Sequence, residues 1–252
     1  MISIISPAKS MNFELPAPSE ISSDLEVRVK NLSILKELQE CSAQSIAKLM
    51  KVSEKISMLN YERFQNYDNN CEKQAIFAYA GDVYNSIDTI NFTGKNLEFA
   101  QEHLMIISAF YGLLRPLDKI KAYRLEMVTK LTKLAPKGLA KFWQQEVTDA
   151  INVKLGQQKS RVLLNIASNE YSAAIDQKSL KSPMINVHFR EMRNGALKNI
   201  ALNSKRARGM MADYIIRNGI DEPEEVKSFN KGEYSFDAKM SDEYNLFFVR
   251  CL

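Results

Sequence analysis

MINVHFREMRNGALKNIALNSKRARGMMADYIIRN, residues 184–218, is the stretch whose reading decides the fold class. Two apolar-rich runs, 184–190 and 196–202, flank Asn194-Gly195. That dipeptide accepts the positive φ angles of a two-residue turn whose twist suits paired strands, so the segment predicts a β-hairpin. Residues 204–218 then change to helical spacing, and Ser204 is expected to cap the helix. Upstream, residues 2–5, 75–80 (AIFAYA), 104–109 (LMIISA) and 161–167 (RVLLNIA) are short apolar runs of the kind that form buried strands. Residues 246–250 predict a closing strand. Helical spacing of three and four joins Leu25, Val29, Leu32, Leu35 and Leu38 within 24–50, and a further helix is expected from Ser53 through Ile56, Leu59, Tyr61 and Phe64. Residues 137–155 also predict a helix. Strands first alternate with helices and then pair as a hairpin. This predicts an α/β protein in the mixed α+β sense: a single domain spanning 1–252, with a mixed sheet surrounded by helices.

Composition narrows the function classes. With 252 residues, 45% hydrophobic and 25% charged, the chain can bury a proper core. A formal charge of +4 and a pI near 8.8 are only mildly basic, so the distribution of charge matters more than its sum. Cys41, Cys71 and Cys251 lie far apart and are odd in number, which argues against a disulfide framework and offers no resolving partner for a redox sensor. His103 and His188 are the two histidines, and no Cys-x-x-Cys pair or Glu-x-x-His pairing is present. Neither a metal nor a cofactor is expected on that donor set. The opening Met-Ile-Ser-Ile-Ile-Ser-Pro has no basic region, and no uncharged run approaches the roughly 20 residues that cross a bilayer. A cytoplasmic location is expected, with no membrane and no obligate protein partner.

Charge is uneven. Residues 115–141 hold Arg115, Lys119, Lys121, Arg124, Lys130, Lys133, Lys137 and Lys141 against Asp118 and Glu126. Residues 181–217 hold Lys181, Arg190, Arg193, Lys198, Lys205, Arg206, Arg208 and Arg217 against Glu191 and Asp213. Gathered on one face, these would bind a polyanion with steep salt dependence; dispersed, they decorate solvated helix faces. Ser204-Lys205-Arg206-Ala207-Arg208-Gly209 carries the sharper expectation. At the opening of a helix, free backbone N–H groups and three cations make an anion site.

Other polar motifs follow the expected strands, where α/β proteins place their ligands. Ser6 and Lys9 follow the first strand, and Lys9 there clamps a phosphate or, if desolvated, acts as a nucleophile. Gly81-Asp82-Val83-Tyr84 follows the second, with Asp82 placed to orient that lysine. Tyr111 to Asp118, including Arg115, reads as a turn, followed by Tyr123-Arg124-Leu125-Glu126-Met127. Asn165, Ser168, Glu170 and Tyr171 close another strand. Each motif alone is common punctuation. Together they describe a polar site beyond several strand ends.

The ordered series SPAKS (6–10), YAGDVY (79–84), YGLLRPLDKIKAYRLEM (111–127), FW (142–143), LNIASNEY (164–171) and SKRARGMMADYII (204–216) resembles the YaaA family, linked to peroxide stress, over nearly the whole chain. The resemblance implies an unusual fold, a positively charged cleft, DNA binding and a helix-hairpin-helix element, with a cytosolic role tied to lowered free iron. That element would fall on 45–64, with Lys51-Val52-Ser53 as its turn. The wider pattern has glycines there for close approach to phosphate, and this chain has Ser53 near that position, with Lys48, Lys51 and Lys55 beside it. Two functions follow as expectations. In the first, Lys51, Ser53, Lys55, Arg115, Arg124, Lys205, Arg206 and Arg208 hold DNA backbone with little base specificity, and Ser6, Tyr84, Asn165, Ser168, Glu170 and Tyr171 line the cleft. In the second, Lys9 with Asp82 and Glu126 performs base-excision or glycosidase-like chemistry in the same cleft.

Overall fold

The computed structural model describes residues 1–25 and 29–251. In chain order the elements are β1 (Ile2–Ile5), β2 (Ser10–Met11), α1 (Val29–Gln39), α2 (Ala43–Met50), α3 (Glu54–Gln65), β3 (Glu72–Gln74), α4 (Ala75–Ala78) and β4 (Tyr79–Ala80). Next come α5 (Gly94–His103), β5 (Leu104–Ser108), β6 (Gly112–Leu114), β7 (Lys119–Lys121), α6 (Leu139–Gly156), β8 (Leu163–Asn165) and α7 (Asn169–Ser172). The last are β9 (Met184–Arg193), β10 (Ala196–Lys198), α8 (Ala201–Asn218), α9 (Pro223–Val226), β11 (Ser235–Phe236) and β12 (Asn245–Cys251).

One mixed sheet organises the molecule, in the order β11-β12-β9-β8-β1-β5-β6, with β10 paired to β9. β12, β9, β8, β1 and β5 run parallel, and the antiparallel partners β6 and β11 sit at the two edges. Every residue of β1 and β5 is buried, as expected of parallel strands covered on both faces. The Asn194-Gly195 hairpin forms with positive φ at both residues, and β10 pairs back on the end of β9. The chain leaves β1 for β5 on one side and later returns to β8 on the other. That reversal of strand order sets the loops after β1 and β8 side by side beyond the carboxyl end of β1, the position at which open α/β sheets place a ligand crevice.

Three expected elements come out differently. Residues 75–80 are not one strand: α4 occupies 75–78, and only Tyr79–Ala80 extend, pairing with Ser10–Met11. A short apolar run fits a buried helical turn as well as a strand, and here Ala75 and Ile76 donate to the carbonyls of Asp118 and Pro116 instead of joining the sheet. The helix expected over 24–50 is two helices. Ser42 accepts a hydrogen bond from the Ser45 amide at 3.2 Å and starts α2 afresh. Residues 26–28 of that expected helix lie outside the described residues. Finally, α8 begins at Ala201, three residues before Ser204, and this shortens the second hairpin arm to Ala196–Lys198.

α2 and α3 pack on each other across the connection 51–53. The left-handed residue of that turn is Lys51, at φ 52°, rather than Ser53. Ser53 has the extended backbone of a helix N-cap but makes no side-chain cap bond.

Candidate functional site

The loops beyond β1 and β8 are tied together by Ser6. Its hydroxyl accepts the Ser168 amide at 2.9 Å and donates to the Ser168 hydroxyl at 3.3 Å. The Tyr84 hydroxyl, on a single 3-10 turn at Tyr84–Ser86, donates to the Ser6 carbonyl at 3.1 Å. Tyr84 sits there because α8 presses that turn inward through Gly209, where an added Cβ would stand 2.0 Å from the Val83 carbonyl oxygen. Asn165, at the end of β8, is buried and satisfied internally, donating to Asn186 at 2.9 Å and accepting the Ala167 amide at 3.0 Å. It ties the end of β8 to β9.

The irregular segment 122–127 runs along this crevice and brings the charges. Lys9 Nζ meets Glu126 Oε1 at 2.9 Å, with the lysine side chain 54% exposed. Arg124 approaches the same oxygen at 3.7 Å, and its Nε is sealed from solvent without a hydrogen-bond partner. Glu170, in the first turn of α7, fixes the segment from the other side by accepting the Met127 amide at 3.1 Å. Beneath these charges lies a layer of tyrosines. Tyr123 is hydrogen-bonded to both Tyr79 and Ser108 at 2.7 Å, and the Tyr79 and Tyr84 rings lie 5.1 Å apart. Burial pushes the Tyr123 phenol up to about 12, against the opposing bonds from Ser108 and Tyr79. Burial, then Tyr123 and Tyr171, raises Tyr84, and burial, then Tyr123, Glu170 and Glu126, raises Tyr171, with Arg124 opposing. These phenols are therefore neutral near pH 7 and offer O–H donors rather than phenolate.

Asp82 does not serve Lys9. It faces Arg206 at 3.8 Å, across the loop where Gly81 lies beside Ala8. Arg206 is 56% exposed and Lys205 is also exposed, so both present charge at the rim. The anion site expected at the opening of α8 is not formed by its backbone. Because the helix starts at Ala201, the Ser204 amide already donates to the Ile200 carbonyl at 2.8 Å, and the Ser204 hydroxyl is engaged by Asn199. Arg208 turns inward, and its Nε is sealed without a partner. Burial first, and the Arg190 charge second, hold its guanidinium below its ordinary value.

Arg115 does not join the cleft. Its guanidinium binds Asp118, which is 2% exposed, through Nε at 3.0 Å and a terminal nitrogen at 2.8 Å, and it also donates to the Asp24 carbonyl. Leu114 pairs with Ile106 in an antiparallel register, so Arg115 follows β6 back toward the amino end of β5, away from the crevice. Lys51, Ser53 and Lys55 are exposed at the α2–α3 turn and form no ion pair among the described residues.

Sequence reading gave Tyr123 a place in its motif but no role, and passed over Tyr79, Ser108 and, as a site residue, Arg190. The tyrosines lie inside the YAGDVY and KAYRLEM motifs, which was the available signal. Arg190 donates to the Phe189 carbonyl at 3.0 Å and stands over the Phe247 ring at 5.8 Å. The histidines are engaged elsewhere: His103 with the Met1 carbonyl at 2.9 Å, His188 with Asn245 at 3.0 Å. Among the described residues no group of three or more His, Cys, Asp or Glu side chains converges as metal ligands do, and no helix is long and apolar enough to cross a membrane.

A family model described as "Peroxide stress protein YaaA" matches residues 1–240. UPF0246 proteins of Rickettsia conorii and Rickettsia bellii are each 46% identical to this chain, over 251 and 253 residues, covering 99% of it and 100% of the relative. A UPF0246 protein of Rickettsia felis is 43% identical over 251 residues with the same coverage.

Proposed function

This chain belongs to the YaaA family of peroxide stress proteins, and from that premise we propose that it acts by binding DNA through the crevice beyond β1. The reading is supported by Lys9, Arg124 and Arg206, which come from three distant parts of the chain to the loops beyond β1 and β4, where Glu126 faces the first two and Asp82 the third. Lys205 extends that rim, and Lys51 and Lys55 on the helical hairpin provide a second, separate set of phosphate contacts in the manner of a helix-hairpin-helix element. Lysines and arginines that meet phosphates position a duplex without reading bases, so sequence preference is weak. Arg115 is left out of this reading because it lies toward the amino end of β5, on the far side from these loops, and is held there by buried Asp118. In the cytosol of a peroxide-stressed cell, such binding limits damage on the DNA itself, with any effect on free iron indirect.

Fluorescence anisotropy with duplex, bubbled and single-stranded DNA at several salt concentrations tests the proposal. Affinity that falls steeply with salt, and drops further in the Lys9→Gln/Arg206→Gln double variant, is expected. No binding, or binding indifferent to salt, would rule it out.

The Lys9–Glu126 pair favours a second reading, DNA processing by lysine–carboxylate chemistry on a flipped base. A nucleophilic lysine is activated by desolvation, and the exposure of Lys9 weighs toward a phosphate clamp instead. Borohydride trapping on oligonucleotides carrying damaged bases separates the two: a covalent adduct lost in Lys9→Gln establishes the enzyme.

A further inference from the structure

Segment 122–127, which carries Arg124 and Glu126, is pinned at two backbone amides. At its far end the Met127 amide donates to the Glu170 carboxylate at 3.1 Å. At its near end the Tyr123 amide, in a residue 3% exposed, donates to the thioether sulfur of Met11 at 3.4 Å. A buried amide needs a partner, and a thioether is a weak one. Among the described residues Met11 is the one methionine whose sulfur accepts a hydrogen bond. Its place is fixed by β2, where it pairs with Tyr79 just after Lys9 has reached Glu126. Met11 packs against the core yet keeps part of its surface in solvent, unlike buried Met1, Met50, Met105, Met127 and Met211.

The atom that holds the near end of the segment is therefore one that peroxide oxidises, in a chain of the peroxide stress family. We propose that Met11 is a peroxide-modification site whose conversion to the sulfoxide releases the Tyr123 amide and shifts Arg124. The sulfur lone pair attacks one oxygen of hydrogen peroxide, the O–O bond breaks, an S–O bond forms, and the other oxygen leaves as water. Sulfur gives up two electrons and peroxide gains them; methionine sulfoxide reductases reverse the change. The product is a misfit. An amide–oxygen hydrogen bond alone takes about 2.9 Å. The S–O bond must be added to it, so an oxygen set between sulfur and nitrogen overfills the 3.4 Å gap. The Tyr123 phenol stays held by Tyr79 and Ser108, and Glu170 keeps Met127. The displacement falls on the backbone between them, at Arg124, while Glu126 remains beside Lys9. The modification itself is independent of the DNA-binding reading; its effect on affinity rests on that reading.

The intact protein is treated with hydrogen peroxide and mapped by peptide mass spectrometry, with exposed Met58 as the positive control and buried Met105 as the negative one. Met11 sulfoxide is expected to form after that of Met58 and well before any at Met105, and to disappear with sulfoxide reductase. Hydrogen–deuterium exchange at the Tyr123 amide should quicken about tenfold, the scale of one lost hydrogen bond. Duplex affinity should fall about fivefold, with a salt slope shallower by about 0.9, as one phosphate contact is lost. Met11→Leu keeps the apolar bulk without the oxidisable sulfur, so peroxide should leave its exchange and affinity unchanged. Met58→Leu should respond as the wild type does. Met11 that stays reduced while Met58 is fully oxidised overturns the proposal, as does a Met11 sulfoxide with unchanged exchange at Tyr123. Quicker exchange with unchanged affinity overturns the link to DNA. If neither the reduced nor the oxidised protein binds DNA, the function proposed above fails, and mapping and exchange still decide the modification.

Discussion

Gly209 shows how much one missing methyl group governs here. A Cβ at that position would meet the Val83 carbonyl oxygen at 2.0 Å and Ser86 Cβ at 2.8 Å, and neither is the yielding end of a flexible side chain. Gly209→Ala must therefore push α8 off the turn that carries Tyr84, and the expected cost is about 2–3 kcal/mol or more in urea denaturation. Gly156→Ala, at the end of α6 with nothing within 4 Å, is the matched control and should be neutral or slightly stabilising. Equal effects at the two sites would refute the packing argument. Glu191 is the second decisive residue, 1% exposed and holding Arg193, Arg250, Asn203 and Tyr234. Burial pushes its carboxyl up, but hydrogen bonds from Asn203 and Arg193 and the Arg250 charge outweigh burial and hold it below the ordinary carboxylate range. A depressed carboxylate contributes stability that is present above its unfolded value, about 4.3, and is lost as pH falls through the folded value. Glu191→Gln should cost about 3 kcal/mol at pH 7, since it leaves mostly buried Arg250 without its carboxylate while Arg193 keeps water, and the gap from wild type should narrow below about pH 4. A gap that is constant with pH would show that the carboxylate charge is not what matters.

The connection between α2 and α3 turns on Lys51, which closes α2 in a left-handed conformation at φ 52°. A side chain pays for that conformation and glycine does not, so Lys51→Gly is expected to raise stability by roughly 0.5–1 kcal/mol while removing one exposed charge. If the hairpin touches phosphate, the same variant binds DNA more weakly, and its salt slope shrinks by about one. A stabilised protein with unchanged DNA binding would leave the hairpin as a purely structural element. The location of this turn was legible in the sequence, because Lys51-Val52-Ser53 interrupts two amphipathic runs. Its left-handed residue was not, because lysine gives no sign of positive φ as glycine does. Similar limits explain the other elements. Asn194-Gly195 announced its hairpin because the turn chemistry is local. Residues 75–78 were ambiguous because the choice between helix and strand was made by the distant Pro116 and Asp118 carbonyls. The start of α8 was misplaced because Ser204 resembles a cap, whereas its hydroxyl serves Asn199 from inside the helix.

At the scale of the whole molecule, the strand order gives the site its place. β1 stands between β5, reached first, and β8, reached later, so the loops after β1 and β8 face the segment 122–127 across one crevice. Sequence motifs put Ser6, Lys9, Tyr84, Glu126, Ser168 and Glu170 after strands or beside turns, and the fold brings them near one another beyond β1 and β8. They could not name partners: Lys9 chose Glu126 over Asp82, and Arg115 was withdrawn to Asp118, through contacts that only the folded chain creates. The surviving rim has consequences for the global charge response. On the proposed DNA-binding reading, Lys9, Arg124, Lys205 and Arg206 would offer about four phosphate contacts, and the hairpin lysines would add two if one duplex spans both. The logarithm of affinity against the logarithm of salt should then fall with a slope of about −3.6 for the crevice alone and about −5.4 for both surfaces, at 0.9 per contact. Lys51→Gln/Lys55→Gln should convert the steeper slope to the shallower one, and Lys9→Gln/Arg206→Gln should lower either by about 1.8. A slope near −2 that ignores the crevice variant would mean that the hairpin binds DNA alone and that the crevice serves another ligand.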